Sequence, residues 1–144
     1  MYKKILVPLD GSPLAEAVLP HAQALAKAEN AEIVILRVAM TPDEHYLMRN
    51  RELTSGIVDD IENEAKNYVQ REVELLEKDG TKVTGITRDG PVADAILEAA
   101  AEAHVDVIAM STHGRSGVQR WLLGSVADRV VHYSHIPVML IHPN

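Results

Sequence analysis

With 144 residues, 47% hydrophobic and 24% charged, the chain has the size and make-up of one folded domain over 1–144, which excludes a disordered polypeptide. Its 21 acidic residues against 14 basic ones give a formal net charge of −7, a field that repels a nucleic-acid backbone. No apolar run reaches the ~20 residues that span a bilayer, Met1-Tyr2-Lys3-Lys4 opens no signal peptide, and cysteine is absent, so the expectation is a cytoplasmic protein without membrane contact, disulfides or thiol chemistry.

Phenylalanine is also absent, so the core has to be aliphatic. Tyr2 to Leu9, centred on Ile5-Leu6-Val7, reads as a buried strand. Asp10-Gly11-Ser12-Pro13 breaks it; Ser12 suits a helix N-cap and Pro13 the first helical position. Leu14, Val18, His21, Ala22 and Leu25 then recur at helical spacing to about Ala28. Glu32 to Ala39 is a second buried strand. Met40 to Gly56 has no clear period and reads as a long loop with room for a short helical turn. Val58 to Asp79 is an amphipathic helix with one stripe of Val58, Ile61, Ala65, Tyr68, Val69, Val73 and Leu76, ended by Gly80. Thr81 to Arg88 is a weaker strand, interrupted by Gly85 and suited to a sheet edge. A helix follows Asp89-Gly90-Pro91, carrying Val92, Ile96, Ala99, Ala100 and Ala103. Val105 to Met110 is a central strand, Ser111 to Gly117 a Gly/Ser loop, Arg120 to Tyr133 a helix, and Pro137 to His142 the last strand.

Alternation of this kind is the pattern of an α/β protein with a parallel sheet, helices on both faces and right-handed crossovers. In such sheets ligands bind outside the carboxyl ends of strands, where the strand order reverses. If the first and fourth strands are neighbours, Pro8-Leu9-Asp10-Gly11-Ser12 and Met110-Ser111-Thr112-His113-Gly114 open onto one crevice. In the segment from Gly114 to Ser125, glycines let backbone N–H groups approach an anion, and a following helix adds its dipole. Ser116 and Ser125 could add hydroxyls, and Arg115 or Arg120 positive charge. The same segment reads equally as a flexible turn with close helix packing at Gly124. It is neither a P-loop nor a dinucleotide fingerprint.

These residues resemble the universal stress protein family over essentially the whole chain. The resemblance is carried by Lys4-Ile5-Leu6-Val7-Pro8-Leu9-Asp10-Gly11-Ser12, by Asp89-Gly90-Pro91-Val92-Ala93-Asp94-Ala95-Ile96, and by Ile136-Pro137-Val138-Met139-Leu140-Ile141. Its most specific part runs from Asp106 to Ala127. That part is similar to the nucleotide signature of the ATP-binding branch: Gly, two residues, Gly, nine residues, Gly, then Ser or Thr. The second and third glycines fall at Gly114 and Gly124, followed by Ser125; the first position holds Ser111.

The resemblance implies a three-layer, doubly wound, five-stranded parallel sheet, Rossmann-like and similar to the adenine nucleotide hydrolases, in strand order 3-2-1-4-5. It implies ATP as ligand, with Asp10 accepting hydrogen bonds from the ribose hydroxyls. Backbone at Val38, with Pro8 and Met110 alongside, would meet adenine. Gly114, Arg115, Gly117, Gly124, Ser125 and Val126 would surround the phosphates, and Leu9 and Ser111 complete the set. A Mg²⁺ or Mn²⁺ ion would bridge phosphate oxygens and need few protein ligands. The resemblance also implies a homodimer, for which antiparallel pairing of the apolar strand Val138 to Ile141 with its copy is the natural interface.

Each candidate has a plainer alternative. Asp10 is equally placed to cap the first turn. His113 fits a general base or a loop-orienting hydrogen bond. Trp121 fits a packing anchor, and no His-x-x-x-His pair supports a protein-built metal site. No catalytic residue is assigned: the chain lacks a Walker lysine and a kinase set. The leading expectation is an ATP-binding regulatory module of a stress response, with unidentified protein partners. A slow ATPase and a nucleotide-independent dimeric module, the latter resting on Ser111, are the alternatives.

Overall fold

The computed structural model describes residues 1–54, 56–114 and 123–143. Its elements in chain order are β1 (Lys4–Leu9), α1 (Pro13–Glu16), α2 (Leu19–Glu29), β2 (Glu32–Ala39), α3 (Glu44–Arg49), α4 (Arg51–Thr54), α5 (Ile57–Lys78), β3 (Val83–Asp89), α6 (Val92–Glu102), β4 (Val107–Ser111), α7 (Ser125–Tyr133) and β5 (Val138–Ile141). The strands form one parallel sheet in the order β3-β2-β1-β4-β5. This is the doubly wound, Rossmann-like arrangement expected from the sequence.

The register follows from which side chains must be buried. β1 lies beside β2 from Lys4 opposite Glu32 to Leu9 opposite Arg37, and beside β4 with Ile5 opposite Val107. Alternate residues then serve two separate cores. Ile5, Val7, Ile33, Ile35, Val107 and Ala109 face α1, α2 and α5, meeting Val18, Ala22, Tyr68 and Val69. Leu6, Val34, Leu36, Ile108 and Met110 face α6 and α7, meeting Ile96, Ala99, Ala127 and Val130. The crossovers toward β3 use one face and those toward β5 the other, so all share one hand. At the amino ends of the strands, the Asp106 carboxylate accepts from the N–H groups of Lys3 at 2.7 Å and Lys4 at 2.9 Å. That contact ties the start of β1 to the approach of β4.

The structure departs from the expected elements in four places. The first helix is two: Pro20 has no N–H to give the Glu16 carbonyl, so the chain breaks at Ala17-Val18 and restarts as α2. Ser12 does cap α1, its side chain accepting from the Ala15 N–H. The stretch 40–56 holds α3 and α4 rather than a mere loop. Asp43 caps α3 by accepting from Tyr46 N–H at 2.7 Å, and no residue of α3 is buried; capping, not apolar periodicity, makes it helical. α7 begins at Ser125, with Leu123 and Gly124 ahead of it; the expected start at 120–122 lies outside the described residues. β4 gains Ser111, which stands opposite Ile141 of β5. Gly85 interrupts its strand pattern because α5 crosses there: a Cβ would strike the Val69 side chain.

One charge sits inside the first core. Arg37 is 6% exposed, pairs with Glu64 at 2.9 Å, and lies over the Tyr68 ring at 5.0 Å. Both partners offset its desolvation. Burial first, then the Glu16 and Glu72 carboxylates, push the Tyr68 phenol above its ordinary range. Burial, then Glu16, likewise raises the Glu72 carboxyl, against a smaller lowering by Arg71.

A raised carboxyl pKa means that the folded state disfavours charged Glu72, so this group costs stability above its folded pKa and not below its unfolded one. Glu72→Gln should therefore raise the melting temperature at pH 7 by roughly 2 °C. The gain should vanish as the pH is lowered through the carboxylate range, which paired thermal melts at both pH values will read.

Candidate functional site

The carboxyl ends of β1 and β4 lie side by side where the strand order reverses. β1 ends in Leu9-Asp10, and Gly11 turns with φ at 87°. The Asp10 Oδ1 atom accepts from Ser12 N–H at 2.9 Å and from the Ser12 hydroxyl at 2.6 Å. Ser12 Oγ in turn accepts from Ala15 N–H at 3.2 Å. One carboxylate oxygen thus builds the turn that starts α1. Asp10 Oδ2 lies toward Gly114 of the loop after β4.

That loop closes on β1 through a glycine. A Cβ on Gly114 would land on Asp10 Oδ2. Only a residue with no side chain lets the backbone reach this carboxylate, so Asp10 and Gly114 share one crevice, as expected. Ahead of it, Ser111 and Thr112 are buried and His113 and Gly114 half-buried. Ser111 Oγ accepts from His113 N–H at 3.4 Å. Thr112 N–H donates to Ile141 carbonyl at 2.9 Å, and its carbonyl accepts from Gly124 N–H at 2.9 Å. Thr112 Oγ1 and His113 Nδ1 are 3.1 Å apart. The His113 ring thus meets the side chain of its neighbour within the loop.

Gly124 is the second close approach. A Cβ there would stand 2.6 Å from the Thr112 carbonyl oxygen, a fixed backbone atom. Gly124 is also the N-cap of α7 and offers no side chain to its first-turn N–H groups. These donors, with the positive end of the helix dipole, follow directly on the Thr112–Gly124 contact. Ser125 is exposed and Val126 half-buried in that first turn. Arg115, Gly117, Ser116, Arg120 and Trp121 lie outside the described residues.

The remaining candidates lie on the three central strands. Pro8 is half-buried, and Val38 and Met110, on the two strands flanking β1, are 8% and 5% exposed. Both side chains lie in the second core. Among the described residues no group of three His, Asp or Glu side chains is placed to hold a metal ion. Sequence reasoning passed over Thr112, whose only signal was its place one residue past an apolar strand. It also passed over Arg37, hidden in an otherwise apolar strand.

A family model described as "Universal stress protein family" matches residues 1–142. Universal stress protein MJ0531 of Methanocaldococcus jannaschii is 34% identical over 143 residues, covering 98% of this chain and 82% of its own. The solved structure of MJ0577 from the same organism superposes with a TM-score of 0.86 at 32% identity, covering 100% of this chain and 98% of that one. A universal stress protein solved in complex with cAMP has the same fold, with a TM-score of 0.64 at 24% identity over 99% of this chain and 98% of that one.

Gly124→Ala should lose roughly 1–3 kcal/mol, because its Cβ meets backbone and cannot be accommodated by a rotamer change. Ser125→Ala, exposed, should stay within about 0.5 kcal/mol of the parent. Urea denaturation of both variants will tell them apart.

Proposed function

Because this chain belongs to the universal stress protein family, we propose that it is a cytoplasmic ATP-binding regulatory module, a single domain over 1–144 acting in a stress response. The observation that carries the reading is a pair of close approaches at the strand-order switch, Gly114 on Asp10 and Gly124, the N-cap of α7, on Thr112. The groups there suit three parts of one ligand. A carboxylate accepts from two vicinal ribose hydroxyls. Glycine backbone and the uncapped first turn of α7 donate to phosphate oxygens. The backbone of Val38, with Pro8, Leu9 and Met110 beside it, suits the edge of adenine. The relative in complex with cAMP binds the same base.

In this reading Gly114, Arg115, Gly117, Gly124, Ser125 and Val126 surround the phosphate chain, and Ser111 stands at the first position of the signature. A Mg²⁺ or Mn²⁺ ion would neutralise phosphate charge, held chiefly by the phosphates themselves. Asp10 orients the nucleoside, and no residue is assigned to hydrolysis. β5 is the sheet edge, and its Val138, Met139, Leu140 and Ile141 are all only half-buried. Antiparallel pairing with the β5 of a second chain would complete that edge.

One observation favours a nucleotide-independent module instead. Ser111 occupies the first glycine position of the signature, and its hydroxyl engages the His113 N–H, a donor that is then turned toward the protein's own loop.

Calorimetric titration of nucleotide-stripped protein with ATP and Mg²⁺ decides between the two. Saturable binding near one ATP per chain is expected, and Asp10→Ala should weaken it roughly tenfold, the worth of about one charge-assisted hydrogen bond. No saturation at millimolar ATP would leave the nucleotide-independent module. Sedimentation equilibrium should give twice the chain mass; a single-chain mass at every accessible concentration would remove the β5 interface.

A further inference from the structure

We propose that Thr112 is a positioning residue that selects the Nε2–H tautomer of the neutral His113 imidazole and so presents Nε2–H as a donor to the phosphate chain, an inference that rests on the nucleotide reading above. Thr112 is 1% exposed, the most enclosed polar side chain among the described residues. Its backbone is committed twice, to Ile141 of β5 and to Gly124 at the start of α7. It cannot shift without moving both. Its hydroxyl lies 3.1 Å from His113 Nδ1, and no other acceptor for it is found among the described residues.

A buried hydroxyl that leaves its hydrogen unshared bears its full desolvation cost. The Thr112 O–H therefore donates, and Nδ1 accepts. A neutral imidazole whose Nδ1 is an acceptor carries its hydrogen on Nε2. The ring is also aimed. Its Cδ2 atom, bonded to Nε2, is 3.7 Å from where a Cβ on Gly124 would stand. The Cδ2 edge of the ring, next to Nε2, thus borders the N-cap of α7, where the nucleotide reading puts the phosphate chain.

This assignment separates binding from hydrolysis. With Nδ1 engaged by Thr112 and Nε2 already carrying a hydrogen, neutral His113 has no free lone pair with which to take a proton from water. It gives a hydrogen bond instead. The second position after Ser111 is then a ligand contact, and the first, Thr112, fixes its tautomer.

Nitrogen NMR of the imidazoles in the labelled full chain tests the tautomer without any variant or ligand. Wild-type protein should show neutral His113 as the Nε2–H form. Thr112→Val should release it to a mixture, and Thr112→Ser should restore it. On ATP addition the Nε2 resonance should move. ATP affinity should fall about tenfold in Thr112→Val and in His113→Leu, and remain near wild type in Thr112→Ser. An Nδ1–H tautomer in the free wild-type protein overturns the inference. So does ATP binding that is equal in wild type and a folded Thr112→Val. The absence of ATP binding to the wild type is a different outcome: it overturns the nucleotide reading and the phosphate contact with it.

Discussion

β1 is hydrogen-bonded on both sides, and the rest of the molecule is arranged around that fact. β2 lies on one flank and β4 on the other, so the crossovers that build toward β3 and those that build toward β5 run in opposite directions across the sheet and pack on opposite faces. The loops at the two carboxyl ends therefore diverge, and a crevice opens between them. Every polar group of the candidate site reaches that crevice from β1, β4 or the start of α7. The Asp106 carboxylate, bonded to the amino end of β1, holds the two strands together at the far end of the sheet.

The energetics follow the same division. Ile5, Leu6 and Val7 are fully buried, alternating between the two cores, so β1 loses stability whichever face is disturbed. Arg37 shows what a charge needs in such a place: a carboxylate at 2.9 Å and an aromatic ring beneath it. The segment from Glu44 to Thr54 lies at the other extreme. Its first helix buries nothing, and among its described residues the burial falls at Thr54, 7% exposed, at the end of the second.

The described part of the crevice is built from backbone more than from side chains. Its candidate donors are the first-turn N–H groups of α7, which follow glycine backbone that approaches a carboxylate at Gly114 and a carbonyl at Gly124. Such donors suit phosphate oxygens and need no proton transfer. Asp10 already spends one oxygen on the Ser12 turn, which rigidifies the carboxylate and preorganises what it can accept.

Local spacing made much of this readable in the chain itself. Short apolar runs alternating with helical periods dictate a parallel α/β sheet, because no other arrangement buries both kinds of segment. Ser12-Pro13 dictates the start of α1 through capping geometry. The glycine spacing and the family resemblance named Asp10, Gly114 and Gly124 as neighbours in function. Features resting on a single residue overriding its pattern were not legible: Pro20 splitting a helix, Asp43 capping one with no apolar face, Gly85 yielding to α5. The contacts between segments distant in sequence were decided only by tertiary structure. That Gly114 needs no Cβ because Asp10 stands there, that Gly124 must meet the Thr112 carbonyl, and that a buried threonine hydroxyl sets the His113 ring all depend on where packing brings the segments together. The sequence by itself determined which segments fold and what chemistry they carry, since propensity and burial are local; only the folded sheet decided which atoms meet, since that requires the strand order and register in three dimensions.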